Sequence, residues 1–373
     1  MVIMALDHVR DFMHTSSMSQ SPTNIQTTTV TLFMTRWITH LCAPTFVFLS
    51  GISAYIAYKR SNNLSESRKF LITRGIWLVL LEFTVINFAL WFDIHFRFEI
   101  LEVISAIGLG FIILGMMLKL PSRLIGITGL IIIFGHNLFQ GINIPANPAI
   151  SFIFSVFFRP SLFQVTHDFS LYTAYPVIPW LGIMLVGFAC GEFFEISSEK
   201  RNKIFFRAGL SILALFIIIR FINIYGDPAP WARQRSAVFT LLSFINTTKY
   251  PPSLLFTLMI LGITFLLLFI SEKVKNKFTE ILSVYGKVPL FYFVIHLYII
   301  HSLMFVMLFL QGYKGKDLLF GVFNNGRPKT GGGVDLALIY IIWLGVVFLL
   351  YPVCKWYGKY KSEHKENRFL RYL

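Results

Sequence analysis

Long apolar runs, broken by short polar stretches, follow one another along almost the whole chain. An α-helix rises about 1.5 Å per residue, so a hydrocarbon core of roughly 30 Å takes about 20 residues to cross. Runs that meet this length cover approximately 29–58, 70–92, 99–118, 124–140, 171–194, 204–224, 251–271, 287–311 and 336–353, with 124–140 at the short limit. Residues 1–14 (MVIMALDHVRDFMH) read as the outer part of one more helix, whose first apolar turns lie upstream of Met1. The pattern predicts an all-α, polytopic transmembrane helix bundle over 1–373, forming a single domain. About ten helices are expected, including the partial first one.

Basic residues set the orientation. Loops 59–69, 119–123, 195–203 and 272–277, with the tail 354–373, carry roughly twice as many Lys and Arg as the alternate loops. By the positive-inside rule these are cytoplasmic, and so is the C-terminus. The stretch 15–28 (TSSMSQSPTNIQTT) bears no charge, as expected of an outer loop. Two further outer loops are long. Residues 141–170 hold a short apolar piece at 150–158, suited to the interface, and 225–250 are rich in Pro, Trp and Arg. Long ordered loops are more often functional than decorative. The basic tail 354–373 is suited to anionic lipid.

Composition agrees with the bilayer as a partner. Hydrophobic residues make up 55% and charged residues only 14%, against roughly 25% charged in a soluble domain. The net charge of +15 sits in short clusters between apolar runs, which excludes the basic face of a nucleic-acid binder. Cys42, Cys190 and Cys354 are far apart and form no CxxC, so neither a disulfide framework nor a thiolate metal site is expected. The pattern fixes no oligomeric state; a homodimer is one option.

Ionisable side chains within the apolar runs carry the candidate chemistry, since each costs about 2.5–3.5 kcal/mol at the bilayer centre and marks a cavity or pathway. Asp7, Arg10, Asp11 and His14 lie on one broad face of the first helix, with His8 about 60° from Asp11 on its flank. A carboxylate beside an imidazole fixes its tautomer and raises its basicity. A helix end emerging into water accounts for the same residues equally well. Arg36 and His40, four apart, repeat the theme in the second run, followed by Pro44 and the step Ser50-Gly51. For Ser50, close packing through small residues is the blander reading. Glu82 stands mid-span, Glu99 and Glu102 open the next run, and His136-Asn137 close 124–140. His296 and His301 are five apart, about 140° round a helix, and cannot ligate one metal from one face. No HExxH, Walker loop or GxSxG elbow is present, so no metal is expected.

The blocks MVIMALDHVRDFMH (1–14), TRWITHLCAPTFVFLSGISAY (35–55), YPVIPWLGIMLVGFACG (175–191), YGDPAPW (225–231), SFINTTKYPPSLL (243–255) and YGKVPLFYFVIHLYIIH (285–301) say more. Together they resemble the bacterial branch of the heparan-α-glucosaminide N-acetyltransferase catalytic-domain family, within the wider group of transmembrane acyltransferases. The resemblance implies acyl transfer from cytosolic acetyl-CoA or another acyl-coenzyme A to an amine or hydroxyl of a saccharide or glycan beyond the membrane. It also implies a bacterial inner (plasma) membrane. His8 matches the first-helix histidine of the wider group, and His14 is similar to the active-site histidine of the heparan enzyme, with Asp7 at its neighbouring polar position. Relatives carry an Arg-Gly step about eleven residues before His8, which falls upstream of Met1, so the start of helix 1 is expected to be missing.

On this reading His8 or His14 is the catalytic base and Asp7 or Asp11 orients it, whether transfer is direct or runs through an acyl-histidine. Arg36, His40, Ser50, Glu82, Trp180 and Lys249 are candidates for substrate or cofactor binding. The rival is a proton-coupled transporter or flippase, with Glu82, Glu102 and the histidines as an intramembrane relay; the inverted repeats of such folds are not visible.

Overall fold

A computed structural model of the chain describes residues 1–141, 147–329, 331–364, 366, 367 and 370. Helices follow one another as α1 (Val2–Met13), α2 (Val30–Thr39), α3 (Cys42–Ser61) and α4 (Leu64–Leu81). A π-helical turn, Glu82–Ile86, then leads into α5 (Asn87–Trp91), strand β1 (Phe98–Leu101), α6 (Val103–Met117), α7 (Ser122–Gly135) and α8 (Pro148–Phe157). Strands β2 (Leu162–Thr166) and β3 (Phe169–Thr173) precede α9 (Val177–Cys190), α10 (Ser198–Ile222), α11 (Ala237–Ile245), α12 (Leu254–Lys273), α13 (Lys277–Gly286) and α14 (Pro289–Leu310). The short hairpin β4–β5 (Phe320–Gly321 and Asn324–Asn325) and α15 (Leu336–Glu363) complete the chain.

Among the described residues eight helices are long and apolar enough to cross a membrane, so the chain is an integral multi-pass membrane protein of all-α class. The shorter α1 and α6 stand beside them. Side-chain caps start several helices where the chain leaves a polar stretch: Thr29 accepts from the Leu32 amide, Asn63 from Glu66 and Ser253 from Phe256. Helices α9 and α12 lie inside the bundle, each with 61% of its most apolar window buried, whereas α15 with 17% and α10 with 22% offer most of their surface to lipid. The interior α9 packs on α3, α6 and α7. A Cβ at Gly51 would strike the Met184 carbonyl and one at Gly187 the Phe48 carbonyl, so these two glycines set the close α3–α9 approach.

Three expected spans are built differently from plain helices. The run 29–58 is divided at His40-Leu41 into α2 and α3, because Pro44 has no N–H to give the His40 carbonyl. The run 70–92 holds the π-helical turn, and 99–118 begins as a strand before α6. Strand β1 pairs in parallel with β3, and β2 pairs antiparallel on its other side, giving the order β1-β3-β2; β1 and β3 take up the starts of the expected spans 99–118 and 171–194. The apolar piece expected at 150–158 is the short helix α8. Helix α15 runs past 353 to Glu363, and Lys365, Arg368 and Arg371 of the basic tail lie outside the described residues.

Candidate active site

Helix α1 brings its charged face against α2. Asp7 accepts from Arg10 Nη2 at 2.9 Å and from Thr39 Oγ1 at 2.9 Å, and it pairs with Arg36. Arg10 Nη2 also reaches Asp11 Oδ1 at 2.6 Å. Arg10 is 2% exposed, whereas the Asp11 side chain is about half open. A buried carboxylate is tolerable only when donors replace its water, and here two guanidinium groups and a hydroxyl do so. Asp7 therefore holds two helices together rather than facing an imidazole. Among the described residues no hydrogen bond links Asp7 or Asp11 to His8 or His14.

The face of this lattice turned to loops 15–28 and 225–250, outer by the charge pattern, opens into a hollow of about 370 Å³. Arg10, Asp11, Arg36 and His40 form its wall and floor, and Pro22, Thr23 and the stretch Asn246–Tyr250 its rim. His40 sits where α2 gives way to α3, so the broken helix presents a side chain and frees a backbone carbonyl at the same place. Its ring is 5% exposed, lies edge-on to Phe256 at 5.5 Å, and has no hydrogen-bond partner at Nδ1. Lys249 is buried, with its ammonium 4.9 Å from the Tyr250 ring centre and 6.0 Å from that of Tyr175. It makes no ion pair among the described residues. Aromatic faces hold a cation by their quadrupole without neutralising it.

The remaining sequence candidates lie elsewhere. His8 is half-buried on another side of α1, its ring edge-on to His296 at 5.1 Å and to Phe293 at 6.3 Å. His14 follows the end of α1; its Nδ1 lies 2.9 Å from Ser16 Oγ and 3.2 Å from the Ser16 amide, and its carbonyl accepts from Arg327 Nη1 at 2.9 Å. Burial, with the charges of Arg10 and Arg327, moves the His14 imidazole below its usual range. Neither His8 nor His14 lines the hollow. The histidine expectations thus separate: His40 shares a crevice with Arg36, while His8 and His14 do not join it.

Glu82 is fully buried and accepts from the amides of Glu102 and Ser105, the latter at 2.5 Å, so it caps α6 from the π-helical turn. Ser50 Oγ turns back to its own helix, 2.7 Å from the Val47 carbonyl. Trp180 is buried behind the hollow, its ring 4.8 Å from that of Tyr175, which in turn meets Tyr250 at 5.3 Å. Sequence reasoning did not single out Thr39, Tyr175 or Tyr250 for the site. Thr39 looks like any helix threonine, and the Tyr-Pro pairs are equally well explained as interfacial anchors. Among the described residues no three His, Cys, Asp or Glu gather as a metal would need.

The profile of the heparan-α-glucosaminide N-acetyltransferase catalytic family matches residues 2–225. The chain belongs to this family. The matched part spans α1 to the end of α10 and includes Arg10, Asp11, Arg36 and His40 of the hollow, whereas Lys249 and Tyr250 lie beyond it. Membership makes the chain a membrane protein of acetyltransferase type. Comparison with curated proteins and with solved structures gave no match.

Proposed function

We propose that the chain transfers an acetyl or other acyl group from acyl-coenzyme A to an amine or hydroxyl of an extracytoplasmic sugar seated in the outer hollow. The observation that carries this reading is His40 at a helix break, its Nδ1 without a hydrogen-bond partner, among the residues that line a cavity together with Arg36 and Lys249. The family's name supplies the acceptor type, an α-glucosaminide, and the acyl group.

A thioester is already activated, so the protein needs a base, charge stabilisation and positioning. In this reading the acceptor nitrogen or oxygen attacks the thioester carbonyl and its proton passes to His40. The C–N or C–O bond forms, negative charge builds on the carbonyl oxygen near the Arg36 and Lys249 cations, and the C–S bond breaks to release the coenzyme A thiolate. Arg36 is held by Asp7 and Lys249 by the two tyrosine faces, so both charges are in place before reaction. His8, beside His296 on another side of α1, is the second histidine candidate, and His14 the third. Glu82, which a proton relay would need free, is engaged with the α6 amides; this weighs against the transporter. Purified protein, given labelled acetyl-coenzyme A and glucosamine or a glucosaminide, is expected to release free thiol and labelled N-acetyl product in equal amounts. Substrate-dependent proton flux in liposomes without such product would favour transport instead.

A further inference from the structure

The rim stretch carrying Lys249 and Tyr250 has no regular secondary structure of its own, so its placement depends on what ties it down. Thr248 donates to Asp227 through its amide at 2.8 Å and its hydroxyl at 2.9 Å, and Ser253 Oγ reaches the same carboxylate at 2.6 Å. Two consecutive residues past the end of α7 supply the other anchors. Asn137 Oδ1 accepts from the Leu254 amide at 3.0 Å, and His136 Nε2 lies 2.7 Å from the Pro252 carbonyl.

His136 is bound at both ends. Its Nδ1 lies 3.0 Å from the Ile132 carbonyl and 3.1 Å from that of Ile133, in a ring that is 5% exposed. A neutral imidazole has one N–H and one lone pair. In either neutral tautomer, one nitrogen therefore sets its lone pair against a carbonyl oxygen; a ring with protons on both nitrogens donates at both. The carbonyl end of α7 favours positive charge at this place. The charged and titratable groups on neighbouring segments are Asp227 and Tyr225 from the 223–231 loop and Lys249 and Tyr250 from the rim. Asp227 is engaged by Thr248 and Ser253, and Tyr225 by the Phe134 carbonyl. Helices α9 and α12, both packed on α7, place no charged residue at this end. Among the described residues no acidic or basic side chain bonds the His136 ring.

We propose that His136 is a positioning residue for the acceptor site: protonated on both nitrogens, it clamps Pro252 to the end of α7 and so sets Lys249 and Tyr250 at the hollow. Loss of its proton as the outer pH rises turns one ring lone pair toward a carbonyl oxygen and loosens the rim. The inference deepens the proposed function and rests on it for the acceptor's place. His301 offers an internal control. Its nitrogens also meet two carbonyls, Ala89 and Asn325, each at 2.8 Å, but these lie on α5 and the β4–β5 hairpin, away from the hollow.

The test uses the full chain in lipid nanodiscs, with both faces accessible, and reads amide hydrogen exchange over 246–255 together with the acceptor KM. His136→Leu is expected to speed exchange at Thr248, Ser253 and Leu254 by about tenfold and to raise KM similarly. His136→Gln keeps amide donors that do not titrate. It is expected to restore protection and to flatten the rise in KM that wild type shows as pH increases. His301→Gln is expected to leave both the rim exchange and the pH dependence of KM as in wild type. Unchanged rim exchange in His136→Leu, or a pH-dependent KM surviving in His136→Gln, overturns the proposal. If wild type transfers no acyl group, the proposed function fails, and the exchange measurement still decides whether the clamp exists.

Discussion

Arg36 and Asp7 pair across the α1–α2 interface, and the same carboxylate holds Arg10 and Thr39. One buried carboxylate is thus shared by two cations inside a membrane bundle, with Asp11 a second partner for Arg10. It fixes one wall of the hollow at the point where α2 breaks into α3.

Removing that carboxylate leaves two buried guanidinium groups without their shared counter-ion. Asp7→Asn is expected to lose about 3–5 kcal/mol of stability, the range for breaking a buried pair. Thermal unfolding in detergent should show this as a markedly lower Tm or a collapse in monodisperse yield. Wild-type stability in the variant would mean that Asp7 does not organise the interface.

His40 and His14 should differ. His40→Ala is expected to lower kcat by about 10²–10⁴-fold, as removal of a general base does, with an unchanged unfolding temperature. His14→Ala should retain most of the rate, because its ring bonds Ser16 and lies off the hollow. The reverse order of damage, measured as initial rates at pH 7, would move the base from His40 to His14. A selective loss in His8→Ala would move it to the His8–His296 side.

Lys249 brings a cation to the hollow that no carboxylate neutralises among the described residues. Lys249→Met, which keeps the stem between the tyrosine faces, is expected to reduce kcat/KM by roughly tenfold, the effect of one charge-assisted hydrogen bond. Lys249→Arg should recover part of it. Full activity in the methionine variant would place substrate and oxyanion away from this side chain.

The bundle was largely legible because apolar run length is a direct consequence of bilayer thickness. The break at His40 was half visible: Pro44 was noted, but the unpaired carbonyl four residues earlier follows only once the helix is drawn. Glu82 shows what a local reading leaves out. A mid-span carboxylate reads as a pathway residue, yet here it caps a helix that starts in the membrane region, which no local pattern reports. The charged face of α1 was identified by periodicity, but periodicity does not say which neighbour each residue meets. Asp7 therefore went to Arg36 on α2 and not to a histidine, and His8 went to His296, about 290 residues further along the chain.

The central claim is acyl transfer at the outer hollow with His40 as base. Its most direct test is sealed proteoliposomes of known orientation, with labelled acetyl-coenzyme A on the side of the basic loops and an amino-sugar acceptor on the other. The account predicts labelled acceptor in the compartment facing the hollow, one free thiol released per acetyl group on the donor side, and loss of both in folded His40→Ala. Folded wild-type protein that yields no labelled acceptor, or His40→Ala protein that yields as much as wild type, would contradict it.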